Sequence, residues 1–205
     1  MADLPLSLAA PYADALRAAL DAEGKIDRAL DALGPIAGRE VVVVEGGAAE
    51  IDRLEAAAAR VTPVAAADGP GSLELPVPAG SADAIVARWS AFRGVDERDL
   101  TEADRVLRPD GRVLVVHDYG RDDVSRLRGD LPEYRTWSRR DGPFLSAGFR
   151  IRVVHCFWAF TDVEAARSFL TGAFGEAGSA LAAALTRPRL SYNVAVYHRT
   201  RGGRG

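Results

Sequence analysis

Three short clusters in this chain join residue types that can do chemistry to the ends of apolar runs. In the first, Glu45, Gly46 and Gly47 follow four consecutive valines at 41–44 and precede an alanine-rich stretch at 48–59. A carboxylate, two residues without side chains and the start of a helix make a place where a nucleotide-like ligand can rest on backbone N–H groups. Glu45 either accepts from the ligand's amino group or stabilises the helix N-terminus as a fixed negative charge, and its flanking strand and glycines favour the ligand role. In the second cluster, Trp89 and Phe92 follow the run 83–87. They either offer an aromatic face to a cation or cap the core. Arg88 beside them reads as a solvated or surface-pairing residue within reach of the same ligand. In the third, His117, Asp118 and Tyr119 end the run 112–117. A His or Asp there can take a proton from an incoming nucleophile. His155 and Cys156 lie in an apolar strand pattern and read as core residues. The three histidines are too scattered to converge on a metal.

These clusters need a scaffold that gathers strand ends at one rim. The valines at 41–44 show no polar alternation, which suits a strand covered on both faces. Further strands are expected at 61–66, 73–77, 83–87, 112–117, 149–160 and 190–197, with Pro63 placing the second at an edge. Helices are expected within 12–33, broken near Gly24, and at 48–59, 99–107, 163–174 and 176–185. Residues 122–131 and 133–139 read as helical turns facing solvent. The arginine-rich run 121–140 carries acids throughout and reads as a solvated face. Alternating strands and helices followed by two long strands imply a parallel sheet with an antiparallel addition at one edge. The ligand crevice in such a sheet lies outside the carboxyl ends of the strands. Tyr12, Tyr134 and Trp137 fall in segments that would form a lid over it, and Tyr119 stands where an acceptor would enter.

The chain has 205 residues, 48% of them hydrophobic and 27% charged, enough for one domain with a full core. A net charge of -3 argues against a dedicated nucleic-acid binder. A single cysteine excludes a disulfide framework and fits a reducing cytoplasm. No apolar run approaches the roughly 20 residues needed to span a bilayer, and the N-terminus lacks the basic flank of a secretory signal. A helical N-terminal cover at 1–36 and one α/β domain at 37–205 are expected. An exposed apolar face on the N-terminal helices would allow a homodimer.

Four segments carry a resemblance to the class I S-adenosylmethionine-dependent methyltransferases, in particular the small type 11 group. They are VVVVEGGAA at 41–49, LELPVPAGSADAIVARWS at 73–90, EADRVLRPDGRVLVVHD at 102–118 and AGFRIRVVHCFWAF at 147–160. The third is the most specific, because helix, turn chemistry and strand agree. The resemblance implies a Rossmann-like three-layer α/β sandwich with a mostly parallel, seven-stranded sheet, its last strand antiparallel. It further implies a methyl donor, S-adenosylmethionine, lying over Glu45, Gly46, Gly47 and Ala48 and flanked by Arg88 and Trp89.

The chain departs from the family pattern at the same site. Ala49 stands where the family has a further glycine. The position of the family's ribose-binding acid falls on Ala65 or Ala66, with Asp68 the nearest substitute. The adenine-contacting position falls on Gly71 or Ser72, and the helix after the second strand is missing. Two readings follow. One is a cytoplasmic enzyme that moves a methyl group to a small-molecule acceptor, with His117 and Asp118 as candidate catalytic residues and Tyr12, Tyr119 and Trp137 lining the acceptor pocket. The other is a methyltransferase-like binding protein that has lost the donor site. A nicotinamide-dependent oxidoreductase lacks both the three-glycine fingerprint and the acid that follows it.

Overall fold

The computed structural model describes residues 4–34, 36–57, 59–65, 69–129 and 131–203. Its centre is a sheet of six strands: β1 (Glu40–Val44), β2 (Arg60–Val64), β3 (Ala82–Arg88), β4 (Leu107–Asp118), β5 (Arg150–Ala159) and β6 (Arg189–Thr200). Their order is β2-β1-β3-β4-β6-β5. The first four run parallel, and β6 lies antiparallel between β4 and β5. Pro63 is tolerated because β2 is an edge strand, with one side that needs no ladder donor. Turn residues at 108–111 sit inside β4 as an irregularity: Ala82 pairs with Leu107, but Ala84 pairs with Arg112.

Helices cover both faces. On one face lie α1 (Ala10–Ala19), α2 (Lys25–Leu33), α3 (Ala48–Ala56), α5 (Asp123–Arg128) and α7 (Val163–Ala184). They pack Leu16, Ile26, Leu30, Leu54, Val124, Phe169 and Leu170 against Val41, Val43, Val86, Leu114, Trp158 and Val196. On the other lie α4 (Glu97–Val106), a π-helical turn (Glu133–Trp137) and the short α6 (Pro143–Ser146). Here Ala103, Val106, Trp137 and Phe144 meet Val42, Ile85, Val113, Val115 and Tyr197. Adjacent valines of β1 therefore serve opposite cores, which is why that strand shows no polar alternation. Gly175, at φ 56°, breaks α7 into the two helices expected from the sequence.

Three expectations change. The main apolar residues of α1 and α2 are packed inside the molecule, with Leu16, Ile26 and Leu30 at most 2% exposed, instead of forming the exposed face expected of them. Residues 73–77 form no strand, and the described sheet has six strands instead of seven. The reason lies in α4. The Asp99 carboxylate accepts from Gly71 N and Leu73 N, Glu102 accepts from Leu75 N, and Arg105 donates to the carbonyls of Leu75 and Val77. Helix side chains thus satisfy the groups that a neighbouring strand would have taken, and Pro76 and Pro78 have no N–H to offer. His155 is also exposed, its Nδ1 2.7 Å from Asn193 Oδ1, while Cys156 is buried as expected. Among the described residues no helix is long and apolar enough to cross a membrane.

Candidate functional site

The strand order reverses between β1 and β3, so the crevice of the sheet lies where these two strands end. Both exits are strained. Glu45, Trp89 and Phe92 hold left-handed backbone angles, φ 55°, 51° and 60°, which cost side-chain-bearing residues about 1–2 kcal/mol each. Ser90 ties the exits together by donating from Oγ to the carbonyl of Val44 at 3.0 Å. Gly46 fills a turn too tight for a side chain: a Cβ there would stand 2.3 Å from Val43 Cγ1. Gly47 precedes α3 and supplies no side-chain cap, so the positive end of the helix faces the rim.

Two cavities flank the Trp89–Phe92 turn. One, of about 200 Å3, lies among Ala49, Glu50, Arg88, Trp89 and α2. The other, of about 140 Å3, lies among Gly69, Pro70, Ser90, Phe92 and Asp99. Arg88 points into the first, where it pairs with Glu50 at 2.6 Å and with Asp27, and Arg53 joins Asp27 at 3.2 Å. Glu50 is only 5% exposed, and Arg88 is its counter-charge.

His117 and Asp118 end β4 on opposite faces of the sheet. His117 is fully buried against Trp137 and Phe144, with ring centroids 4.9 and 6.0 Å away. Its Nε2 donates to the Ala91 carbonyl at 3.2 Å. Burial, reinforced by the nearby Arg93 charge, pushes its pKa down to about 3. The ring is neutral at pH 7 and enclosed, so the general-base role expected of it has no route to an acceptor. Asp118 is 3% exposed and fully engaged: it accepts from Trp89 Nε1 at 3.2 Å, from Arg128 and from the Tyr192 hydroxyl. Burial pushes its carboxyl up, against the pull of Arg128 and Tyr192. This cluster fixes Trp89 at the rim.

Beyond Asp118, a cavity of about 670 Å3 opens among Tyr119, Arg121, Ser125, Arg126, Tyr134, Arg135, Ser138 and Arg139. The run 121–140, read from sequence as a solvated face, is its wall. Trp137 lies behind it, 7% exposed and 5.4 Å from the Arg93 guanidinium. Tyr12 is elsewhere, packed on Phe169 between α1 and α7 at 6.3 Å. Ala48 is exposed at the start of α3, and Ala65 is exposed beyond β2 with no side-chain acceptor. Ser72 turns its hydroxyl back to the Gly69 carbonyl. Ala66 and Asp68 lie outside the described residues.

This arrangement coincides with a known family. The family model described as a methyltransferase domain, type 11, matches residues 22–115, from the start of α2 into β4. Over that stretch, a little under half of the chain, the sequence is similar to a methyltransferase domain. Among curated proteins, no sequence matches. Among solved structures, a proposed type II methyltransferase from Anaeromyxobacter dehalogenans shares 20% identity over 98% of this chain and 100% of its own, with a TM-score of 0.53. An S-adenosylmethionine-dependent methyltransferase from Aquifex aeolicus shares 17% identity over 91% and 97%, with a TM-score of 0.49. The first of these supports the fold over nearly the whole chain.

The residues of the matched segment fit the donor of that family at its amino-acid end. Gly46, Gly47 and the uncapped start of α3 leave backbone N–H groups facing the rim beside Glu45. Trp89 and Phe92 border the cavities on either side of their turn. The ribose end is poorer, since Ala65 has no side-chain acceptor and no carboxylate stands there among the described residues, while the Ser72 hydroxyl spends its proton on the Gly69 carbonyl.

Proposed function

We propose that this domain transfers a methyl group from S-adenosylmethionine to a small-molecule acceptor in the cytoplasm. The observation that carries the reading is the uncapped glycine turn at the point where strand order reverses, within the segment that matches the family. Bound there, the donor would supply an electrophilic methyl group on a sulfonium. Gly46 and Gly47 let the backbone approach it, the first N–H groups of α3 meet its carboxylate, and Glu45 meets its amino group. The proposed contacts also include Ala48, Arg88, Trp89, Ser72 and Ala66. Arg88 would act through Glu50, pairing with the carboxylate beside the turn. Asp118 is assigned a positioning role: with its oxygens taken up by Arg128, Tyr192 and Trp89, it holds the aromatic wall of the donor site. Methyl transfer needs alignment of nucleophile and sulfonium more than it needs a base.

A second reading, a methyltransferase-like protein that binds a ligand or partner without turnover, draws on Ala65 and on the size of the rim cavities. Neither reaches the roughly 300 Å3 of an ordinary small-molecule site. Calorimetric titration with S-adenosylmethionine and S-adenosylhomocysteine separates the two. Micromolar dissociation constants, lost in Gly47→Leu, are expected of the enzyme. Absence of heat at millimolar donor would overturn that reading in favour of the second.

A further inference from the structure

The 670 Å3 cavity beside the end of β4 is large enough for a metabolite-sized molecule, and its charge is one-sided. Arg121, Arg126, Arg135 and Arg139 line it, with Tyr119 and Tyr134, and among the described residues no carboxylate does. Composition alone does not produce this, because the same run contains Asp122, Asp123, Asp130 and Glu133, of which Asp130 lies outside the described residues. The fold ties Asp122 and Glu133 away from the cavity and holds Asp123 against β6 and Arg126. Asp122 caps α5 through Ser125 N and accepts from Asn193 N at 2.8 Å. Asp123 accepts from Ser191 N and Oγ at 2.9 and 2.7 Å and also pairs with Arg126. Glu133 is buried against Arg93.

Arg121 lies over the Tyr119 ring at 5.8 Å, and neither it nor Arg139 forms an ion pair among the described residues. Tyr134 adds a hydroxyl shielded from solvent and without a hydrogen-bond partner. Its ring is held against Gly120, where an added Cβ would stand 2.9 Å from Tyr134 Cδ1.

We propose that this cavity receives the methyl acceptor, an inference that rests on the methyl-transfer reading above, and that the acceptor is a small anion carrying a carboxylate or phosphate. Guanidinium groups bind such oxygens in fork geometry, whereas a neutral ligand would cover charged groups without compensating them. The surplus positive field would also draw an anion toward the rim. The Tyr134 hydroxyl supplies a hydrogen bond to a polar atom of the same molecule.

The test is calorimetric titration of the intact protein at low ionic strength with phenyl phosphate, benzoate and the uncharged phenol. At least one anion is expected to bind tenfold or more tightly than phenol, and the tighter of the two identifies the charged group. Arg121→Gln combined with Arg139→Gln should weaken that anion tenfold or more. Both side chains are exposed, so an unchanged thermal midpoint would show the fold intact. Arg152→Gln, on the exposed side of β5, should leave anion affinity as it was. Equal affinity for phenol and both anions, or full anion affinity in the double variant, overturns the proposal. Donor titration runs in parallel. If the donor fails to bind while arginine-dependent anion binding persists, the methyl-transfer reading falls and the anion site stands.

Discussion

Glu50 and Arg88 show how much of the rim depends on single side chains. The pair sits where α3 meets the end of β3, with side chains only 3% and 14% exposed, and Asp27 completes the charge balance from α2. Taking away one member leaves the other charged and out of water, which costs more than the pair itself is worth. Arg88→Ala is therefore expected to lower unfolding stability by about 3–5 kcal/mol in urea denaturation. Arg88→Met combined with Glu50→Gln should recover most of that loss, since neither charge is then stranded. His117 acts through pH instead. Its folded pKa of about 3 lies below the ordinary 6.5, so between those values the unfolded chain binds a proton that the folded chain refuses. Stability is then lost as pH falls below 6.5, by about 2 kcal/mol at pH 5 from this ring alone. Asp118 works the other way, because its raised pKa lets the folded state take up a proton first. In His117→Gln the loss due to the imidazole should vanish while the contribution of Asp118 remains. Urea melts at pH 7.5 and pH 5.0 on both proteins measure the difference.

At the scale of elements, α4 does work that the sequence conceals. The run 73–77 has the apolar residues of a strand, and Leu73 and Leu75 are buried. What decides its structure is the spacing of Asp99, Glu102 and Arg105, which puts two acceptors and a donor on one helix face. Periodicity reports burial of the segment but cannot report that its hydrogen bonds are taken by side chains of a helix more than 20 residues away. The core elements were legible for the opposite reason: β1, β3 and most of β4 are buried on both faces, and their apolar runs are a direct consequence. The glycine turn was legible too, because a strand, two glycines and a helix in succession leave few alternatives. The basic cavity was not. It arises because capping and long-range bonds remove Asp122, Asp123 and Glu133 from a run that reads as evenly mixed. Asp99→Ala should test the substitute edge. One buried and one half-buried backbone donor lose their acceptor, so a loss of about 2–4 kcal/mol is expected by thermal or urea denaturation. Asp99→Asn, which keeps an acceptor, should lose less.

For the whole molecule, the decisive question is whether the N-terminal helices are a cover or part of the core. Leu16, Ala19, Ile26, Ala29 and Leu30 are at most 3% exposed and belong to the same apolar cluster as Val41, Val86, Leu114 and Trp158. The chain between the helices also guards the sheet: Leu20 bridges to Trp158, and Asp21 N donates to the Phe157 carbonyl at 3.0 Å along β5, the edge strand. Each buried Leu or Ile is worth about 1.5–3 kcal/mol, so the three here match the margin of about 5–15 kcal/mol by which a domain is stable. A chain beginning at residue 37 is therefore expected not to fold cooperatively. It should bind a hydrophobic dye, lose its near-ultraviolet dichroism and show no sharp thermal transition, whereas a detachable cover would leave 37–205 with a cooperative melt. If that shortened chain does melt cooperatively, the apolar face of β5 and β6 must be closed by something other than α1 and α2. If it does not, these helices are as much part of the core as the sheet they cover, and the cavity between α2 and the end of β3, which we propose for the donor, depends on them.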